Sequence, residues 1–232
     1  MEYLPNGLTL EVPADAFPLS TDSVVLAEFV RLPKNARILD IGSGCGTLGL
    51  LLCAGDHHCS VTGIELQADS HEAALKNIRQ NALDARMHSI HADAKAFREL
   101  IPAGSFDVCV SNPPYYTGGP ASKLYSSARR EDALDAQALM ECAGWALKTG
   151  GDFFLVHKPE KLAQLISLGA KYRLEAKVLR LVKHRQDGPV SLILLRFRKG
   201  AKPGLILEEG ILHLADGTDT PYYRKIYHIE ES

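Results

Sequence analysis

The stretch Ile38-Leu39-Asp40-Ile41-Gly42-Ser43-Gly44-Cys45-Gly46 limits the folds open to this chain more than any other. A short apolar run ends in an acid, and glycine follows at every second position. The run is too short for a helix and reads as a buried strand. Glycines at its carboxyl end let the main chain turn sharply and let a ligand come close to the backbone. The apolar Leu48-Gly49-Leu50-Leu51-Leu52 then opens a helix, whose first turn has N–H groups without intrahelical partners. Strand, glycine loop and helix in that order begin a parallel α/β sheet.

The rest of the chain continues the alternation. Ser60–Glu65 reads as a second strand, Ala68–Ala82 as a helix, Arg86–His91 as a third strand, and Ala94–Leu100 as a short helix. Phe106–Ser111 is a fourth strand, Asp132–Leu147 a helix, and Asp152–His157 a fifth strand, with a helix after Pro159. Ahead of the glycine loop, Ser20 and Thr21 offer N-cap oxygens, Asp22 suits the helix dipole, and Val24–Val30 supplies an apolar face ended by Pro33. Tyr172–Val182 and Val190–Phe197 flank Arg185-Gln186-Asp187-Gly188-Pro189 and read as an antiparallel pair. Leu205–Leu207 and Ile211–Leu214 are candidate short strands. The expected fold is therefore α/β: a seven-stranded, mostly parallel sheet with helices on both faces and a terminal antiparallel hairpin, which resembles the class I methyltransferase (Rossmann-like) arrangement. One domain is expected over 1–232, with an N-terminal arm at 1–20 that is extended or a short hairpin. A mobile substrate loop is expected at 115–130 and a C-terminal extension at 200–232.

Three acids follow three successive strands. Asp40 stands before the glycines, where a carboxylate suits the cationic end of S-adenosylmethionine; Glu65 can accept from both ribose hydroxyls; Asp93 can accept from an adenine amino group. Gly44-Cys45-Gly46-Thr47-Leu48-Gly49 also satisfies G-x-G-x-x-G, and Glu65 alone fits a dinucleotide equally well. Asp40 or Asp93 alone could instead cap a helix. Ser111-Asn112-Pro113-Pro114-Tyr115 decides for the methyl donor. Double proline ends the strand and fixes the backbone after Asn112. An exocyclic amine is a poor nucleophile because its lone pair is delocalised. The Asn112 side-chain oxygen and the Pro113 carbonyl can each accept one of its N–H bonds and turn that lone pair toward a methyl group. Tyr115 offers a ring face to a base taken out of its stack. The motif names an amine or amide nitrogen, without naming the molecule.

Charge is divided unevenly. Residues 1–157 carry 12 Lys and Arg against 19 Asp and Glu, whereas 158–202 carry 12 basic residues against three acidic. A polyanion contacting the second part and a lysine-decorated sheet edge explain this equally well. Five cysteines form no C-x-x-C pair, and Cys53, His57, His58 and Cys59 match no common zinc spacing, so no metal is expected. No apolar run reaches membrane-spanning length and no signal sequence opens the chain, so the expected address is cytoplasmic, with no membrane partner.

Taken together, these motifs resemble those of the bacterial tRNA adenine-N6 methyltransferases that modify adenosine 37 of a valine tRNA. The resemblance rests on Ser20–Leu26, Ile38–Gly46, Gly63-Ile64-Glu65-Leu66, Asn112–Tyr116, Ala128-Arg129-Arg130-Glu131, Lys202-Pro203-Gly204 and Ile226-Tyr227. It implies cofactor contacts at Thr21, Asp22, Asp40, Gly42, Gly44, Gly46, Glu65, Leu66, Asp93, Ala94 and Asn112. It implies chemistry at Asn112, Pro113, Pro114 and Tyr115, and RNA contacts at Tyr115, Tyr116, Arg129 and Arg130. Where many such proteins carry His, this chain has Arg130. With RNA as acceptor, the basic region gains a phosphate-binding reading, with Lys183 and Arg185 on the hairpin holding an anticodon stem-loop. A monomer is expected. Two alternatives remain at this point: the same cofactor with guanine N2, DNA adenine or protein glutamine as acceptor, and a non-catalytic RNA-binding protein of the same fold.

Overall fold

The computed structural model describes residues 1–13, 19–54, 58–114 and 135–229. The chain begins with a two-stranded antiparallel hairpin, β1 (Glu2–Tyr3) and β2 (Thr9–Leu10), and continues through α1 (Thr21–Phe29), β3 (Arg37–Ile41), α2 (Thr47–Cys53), β4 (Ser60–Glu65), α3 (Ala68–Gln80) and β5 (Met87–His91). A 3-10 turn leads into α4 (Phe97–Leu100) and β6 (Phe106–Ser111). There follow α5 (Ala136–Ala146), β7 (Leu147–His157), α6 (Leu162–Lys171), β8 (Leu174–Arg185), β9 (Val190–Lys199), β10 (Ile206–His213) and α7 (Pro221–Ile226).

Among the described residues, eight strands form one sheet in the order β10-β8-β9-β7-β6-β3-β4-β5. All neighbours are parallel except β7–β9 and β8–β9. The fold class is the one expected, and the terminal hairpin is β8–β9. The strand number is eight rather than seven because the two short runs expected after residue 204 are one strand. Glu208 and Glu209 interrupt its apolar pattern, yet they meet Arg180 and Lys183 on β8 at 2.7 and 3.0 Å. The β7 strand also starts earlier than expected, at Leu147, and its register against β6 shifts between Phe106 and Val108.

Alternation along each strand sorts side chains into two cores. Phe154 and Val156 of β7 face Val24, Val25 and Phe29 of α1, and Leu50 and Ile226 join the same cluster. Phe153 and Leu155 face the other way, with Leu139 and Met140 of α5 and Leu165 of α6. Helices α1, α2, α3 and α7 therefore cover one face, and α4, α5 and α6 the other. Phe153 and Phe154 are fully buried, so truncating either to alanine costs about 3–5 kcal/mol.

Helices α1, α5 and α7 begin on capping side chains. Ser20 caps α1, accepting from Ser23 N, and Asp135 Oδ1 accepts from Ala138 N at the start of α5. Thr220 caps α7, with Pro221 at its first position. The N-terminal hairpin is held on the sheet through Asn77, which is fully buried. Its side chain accepts from Glu11 N at 2.8 Å and donates to the carbonyls of Glu11 and Cys45 at 2.9 and 3.0 Å. One asparagine on α3 thus fixes both the N-terminal arm and the glycine loop. No helix among the described residues is long and apolar enough to cross a membrane.

Candidate active site

The carboxyl ends of β3, β4, β5 and β6 lie on one edge of the sheet, because these strands are parallel. Ser111 Oγ donates to the Ile41 carbonyl at 2.7 Å and joins the ends of β6 and β3. The glycine loop leaves one of these strand ends and Asn112 leaves the other. Asp40 is in register with Val110, which puts the Cα atoms of Asp40 and Asn112 roughly 8 Å apart on ordinary strand spacings.

The loop is built as its glycines demand. Gly42, Gly44 and Gly46 have φ of +73°, +55° and +83°, a conformation costly to any residue with a Cβ. A Cβ placed on Gly42 or Gly44 meets no atom of the described residues within 4 Å, so both face space that a ligand can fill. Gly46 differs: its Cβ would lie 2.8 Å from Met87 Cε, so its small size also serves packing. On β4, Gly63 lets the loop cross, since a Cβ there would come within 2.7 Å of Ser43 Cβ. The N–H groups of Gly42 and Ser43 donate to the Ile64 carbonyl.

The three acids have separate situations. Asp40 is 1 % exposed, and neither carboxylate oxygen has a hydrogen-bond partner among the described residues. Burial, and after it the charge of Glu65, pushes its carboxyl up to about 8. A buried acceptor left without a donor is costly, and a cationic ligand group would relieve that cost. Glu65 accepts from Gly44 N at 2.8 Å with one oxygen and from Gln67 N at 2.7 Å with the other. Each of its oxygens has a second lone pair for a ribose hydroxyl. Asp93 caps the 3-10 turn, its Oδ1 accepting from Lys95 N at 2.8 Å, which is the bland role open to it from sequence. Ala94 is buried beside it, and Leu66 is half-buried, its carbonyl 3.1 Å from His91 Nε2. An orphaned buried carboxylate, a ribose-type acid and a cradle open above two glycines fit S-adenosylmethionine by the chemistry of its ammonium, sulfonium and ribose.

At the reacting end, the Asn112 side-chain Nδ2 donates to Ser23 Oγ on α1 at 3.0 Å. Pinning the NH2 side fixes which way the amide is turned. Pro113 is buried and Pro114 exposed. Thr21, two residues before Ser23, shares a hydrogen bond of 3.1 Å with the Tyr227 hydroxyl, and Asp22 lies in the first turn of the same helix. Tyr115, Tyr116, Arg129, Arg130 and the expected loop at 115–130 lie outside the described residues.

Sequence reasoning missed Ser23 and His157. Ser23 reads as one more polar residue of a capping segment, and nothing local connects it to a position 89 residues away. His157 is the last residue of β7, where the pairing of Ser111 with Leu155 carries it to the level of Pro113. Burial, with Lys161 next, lowers its imidazole to about 4, and its Nδ1 accepts from Lys158 N, so it stands neutral with the proton on Nε2. The readable signal was a histidine ending the strand beside Asn-Pro-Pro.

The basic segment divides by use. Arg180 is buried, bonded to Glu28 at 2.6 Å, Glu208 at 2.8 Å and the Tyr222 hydroxyl at 3.2 Å. Arg196 and Arg198 both hold Asp152. These three cations neutralise acids of the first part of the chain and of β10. Lys183 and Arg185 sit at the carboxyl end of β8, on the same edge as Asn112; Lys183 pairs with Glu209, and Arg185 with Asp187 and the Ala215 carbonyl. Among the described residues, no group of His, Cys, Asp and Glu is arranged to hold a metal ion. A shallow cleft at Ala170, Arg173, Leu174, Glu175, Gly200 and Ala201 lies at the opposite edge, away from all these groups.

Residues 19–172 match the family model of the methyltransferase small domain. A tRNA1(Val) (adenine(37)-N6)-methyltransferase from Photobacterium profundum is 30% identical over 181 residues, covering 76% of this chain and 75% of that protein. One of the same name from Aliivibrio salmonicida is 28% identical over 214 residues, 91% of this chain and 89% of the relative. The crystal structure of a predicted O-methyltransferase from Agrobacterium tumefaciens superposes with a TM-score of 0.75 at 22% identity, over 90% of this chain and 96% of that one.

Proposed function

Since the chain belongs to the methyltransferase small domain family, in the branch of the tRNA1(Val) (adenine(37)-N6)-methyltransferases, we propose that it methylates N6 of adenine 37 in a valine tRNA, with S-adenosylmethionine as methyl donor. The observation that carries the reading at the site is the buried, unpartnered Asp40 carboxylate one strand away from Asn112.

In this reading Asp40 takes the cationic amino-acid end of the donor, Gly42, Gly44 and Gly46 admit it to the backbone, and Glu65 and Leu66 take its ribose side. Thr21, Asp22, Asp93 and Ala94 line the same site. When bound, S-adenosylmethionine supplies an electrophilic methyl group. Asn112 Oδ1 and the Pro113 carbonyl accept the two N–H bonds of the adenine amine and hold its lone pair out of conjugation with the ring. Pro114 stiffens that carbonyl, and Tyr115 and Tyr116 hold the flipped base. No strong base is required before transfer, because the alkylated nitrogen is acidic and its proton departs afterwards. Arg129, Arg130, Lys183 and Arg185 are assigned to the RNA backbone of the anticodon stem-loop. The proposal includes a monomeric, cytoplasmic enzyme.

The test is to incubate the protein with labelled donor and total tRNA from cells lacking this modification, then to digest to nucleosides. N6-methyladenosine is expected. Label in guanosine or in protein would assign another acceptor, and no donor binding by calorimetry would leave a scaffold.

A further inference from the structure

Four rings contributed by the end of β8 and the C-terminal segment form a continuous row along the site edge. His184 meets His213 with ring centroids 4.9 Å apart at 67°, His213 meets Tyr223 at 4.6 Å, and Tyr223 meets Tyr227 at 4.5 Å. The Tyr227 hydroxyl then bonds Thr21, and Ser23 on the same helix turn holds Asn112. The row therefore runs from the outer end of β8 to the helix that orients the reacting amide. His184 is exposed, and His213, Tyr223 and Tyr227 are half-buried. Cations flank it: Lys183 and Arg185 adjoin His184 in sequence, and Arg224, between Tyr223 and Tyr227, makes no ion pair among the described residues.

We infer that this row is a stacking platform for unpaired nucleobases next to the acceptor adenine in the RNA loop. The inference rests on the RNA-adenine reading above and names the part of the RNA that touches this surface. Tyr223 and Tyr227 also pack against the core beneath them, but every ring has a polar edge, and Lys183, Arg185 and Arg224 adjoin the row in sequence, which is the composition that binds single-stranded RNA by stacking and charge together. A duplex stem offers phosphates without open base faces, so it can use Lys183 and Arg185 but not the rings. His213 is fixed in place by Asp219 at 3.0 Å, so its ring is pre-oriented at little further entropic cost.

The test compares two RNAs: a hairpin with the acceptor adenine in its loop, and a blunt duplex of the same stem. Affinities are read by fluorescence anisotropy, donor affinity by calorimetry and folding by thermal melting. His184→Ala, at an exposed position, and Tyr223→Leu are expected to weaken hairpin binding about fivefold to a hundredfold, with duplex and donor binding unchanged. Lys183→Glu is expected to weaken both RNAs. Hairpin affinity equal to wild type in His184→Ala would overturn the platform, whatever the stability of Tyr223→Leu. If wild type methylates tRNA adenine while the variants bind as it does, only the platform fails. If wild type labels no tRNA adenine, the functional reading fails as well.

Discussion

Asn112 Nδ2 donates to Ser23 Oγ across 3.0 Å, so the helix that precedes the first strand of the main sheet sets the orientation of an amide at the end of β6. Ser23 is 7 % exposed, and its hydroxyl is shielded from competition by water. Ser23→Ala frees the amide to rotate. The methyl-transfer rate in single turnover is expected to fall about tenfold to a hundredfold with donor affinity unchanged. Asn112→Ala is expected to lose about 10²–10³. A Ser23→Ala enzyme with the wild-type rate would remove the helix from the orienting role.

Asp40 gives a pH signature in the donor-free protein. Its native carboxyl is held up at about 8 against 3.8 for the ordinary group, so the native state binds the proton that the unfolded chain releases. The contribution of that proton to stability is full below about pH 4, declines as pH rises, and is gone above about 8. Asp40→Asn has no such proton. Urea denaturation at pH 5.5 and 8.5 is expected to show wild type losing stability relative to the variant at the higher pH, by on the order of a few kcal/mol. A difference between the two proteins that does not change with pH would refute the assignment.

Two glycines separate ligand approach from packing. Gly42→Ala introduces a methyl at φ +73° with no atom of the described residues within 4 Å, so its cost to folding is about 1–2 kcal/mol, and its larger effect is expected on donor affinity. Gly63→Ala places a methyl against Ser43 and should lower melting temperature and donor affinity together. Calorimetry beside thermal melting checks both. Donor binding at wild-type strength by Gly42→Ala would mean that nothing occupies the space above that glycine.

Arg180 ties four elements: β8, α1 through Glu28, β10 through Glu208, and α7 through Tyr222, and its guanidinium also lies 4.9 Å from the Phe29 ring centre. Burial alone would raise Glu28, but hydrogen bonds from Lys225 and Arg180 outweigh it and hold the carboxyl below its usual range. Arg180→Met leaves the half-buried Glu28 with Lys225 at 2.9 Å and Arg31 at 3.7 Å and is expected to cost about 3 kcal/mol in urea denaturation. Its stabilising share is lost as pH falls through the lowered Glu28 pKa, so wild type and variant should converge in acid. Parallel denaturation curves down to pH 3 would contradict this.

Strands β3, β4 and β6 were legible because each is a short, largely apolar run closed by glycine, by an acid or by Asn-Pro, which are local signals, whereas β5, Met-His-Ser-Ile-His, was legible from its place in the alternation of strands and helices. Asn112, Asp40 and the glycines were legible for the same reason. Ser23 and His157 were not, since their relation to Asn112 and Pro113 exists only through the sheet. The β10 strand was obscured by Glu208 and Glu209, whose charges make sense only opposite Arg180 and Lys183. The charge imbalance was visible, but its meaning was not: Arg180, Arg196 and Arg198 hold Glu28 and Asp152, so part of the basic excess is internal pairing of the chain with itself.

The bond between Thr21 and Tyr227 joins residues 206 positions apart. During synthesis, Thr21 leaves the ribosome 206 residues ahead of its partner and waits for it. The strand ends that would receive the methyl donor are complete long before that moment, and the helix above them, already bonded to Asn112, gains its second tie only then. A chain shortened before Tyr227 would thus lose this clasp and leave α1 to its packing and to the bond between Ser23 and Asn112.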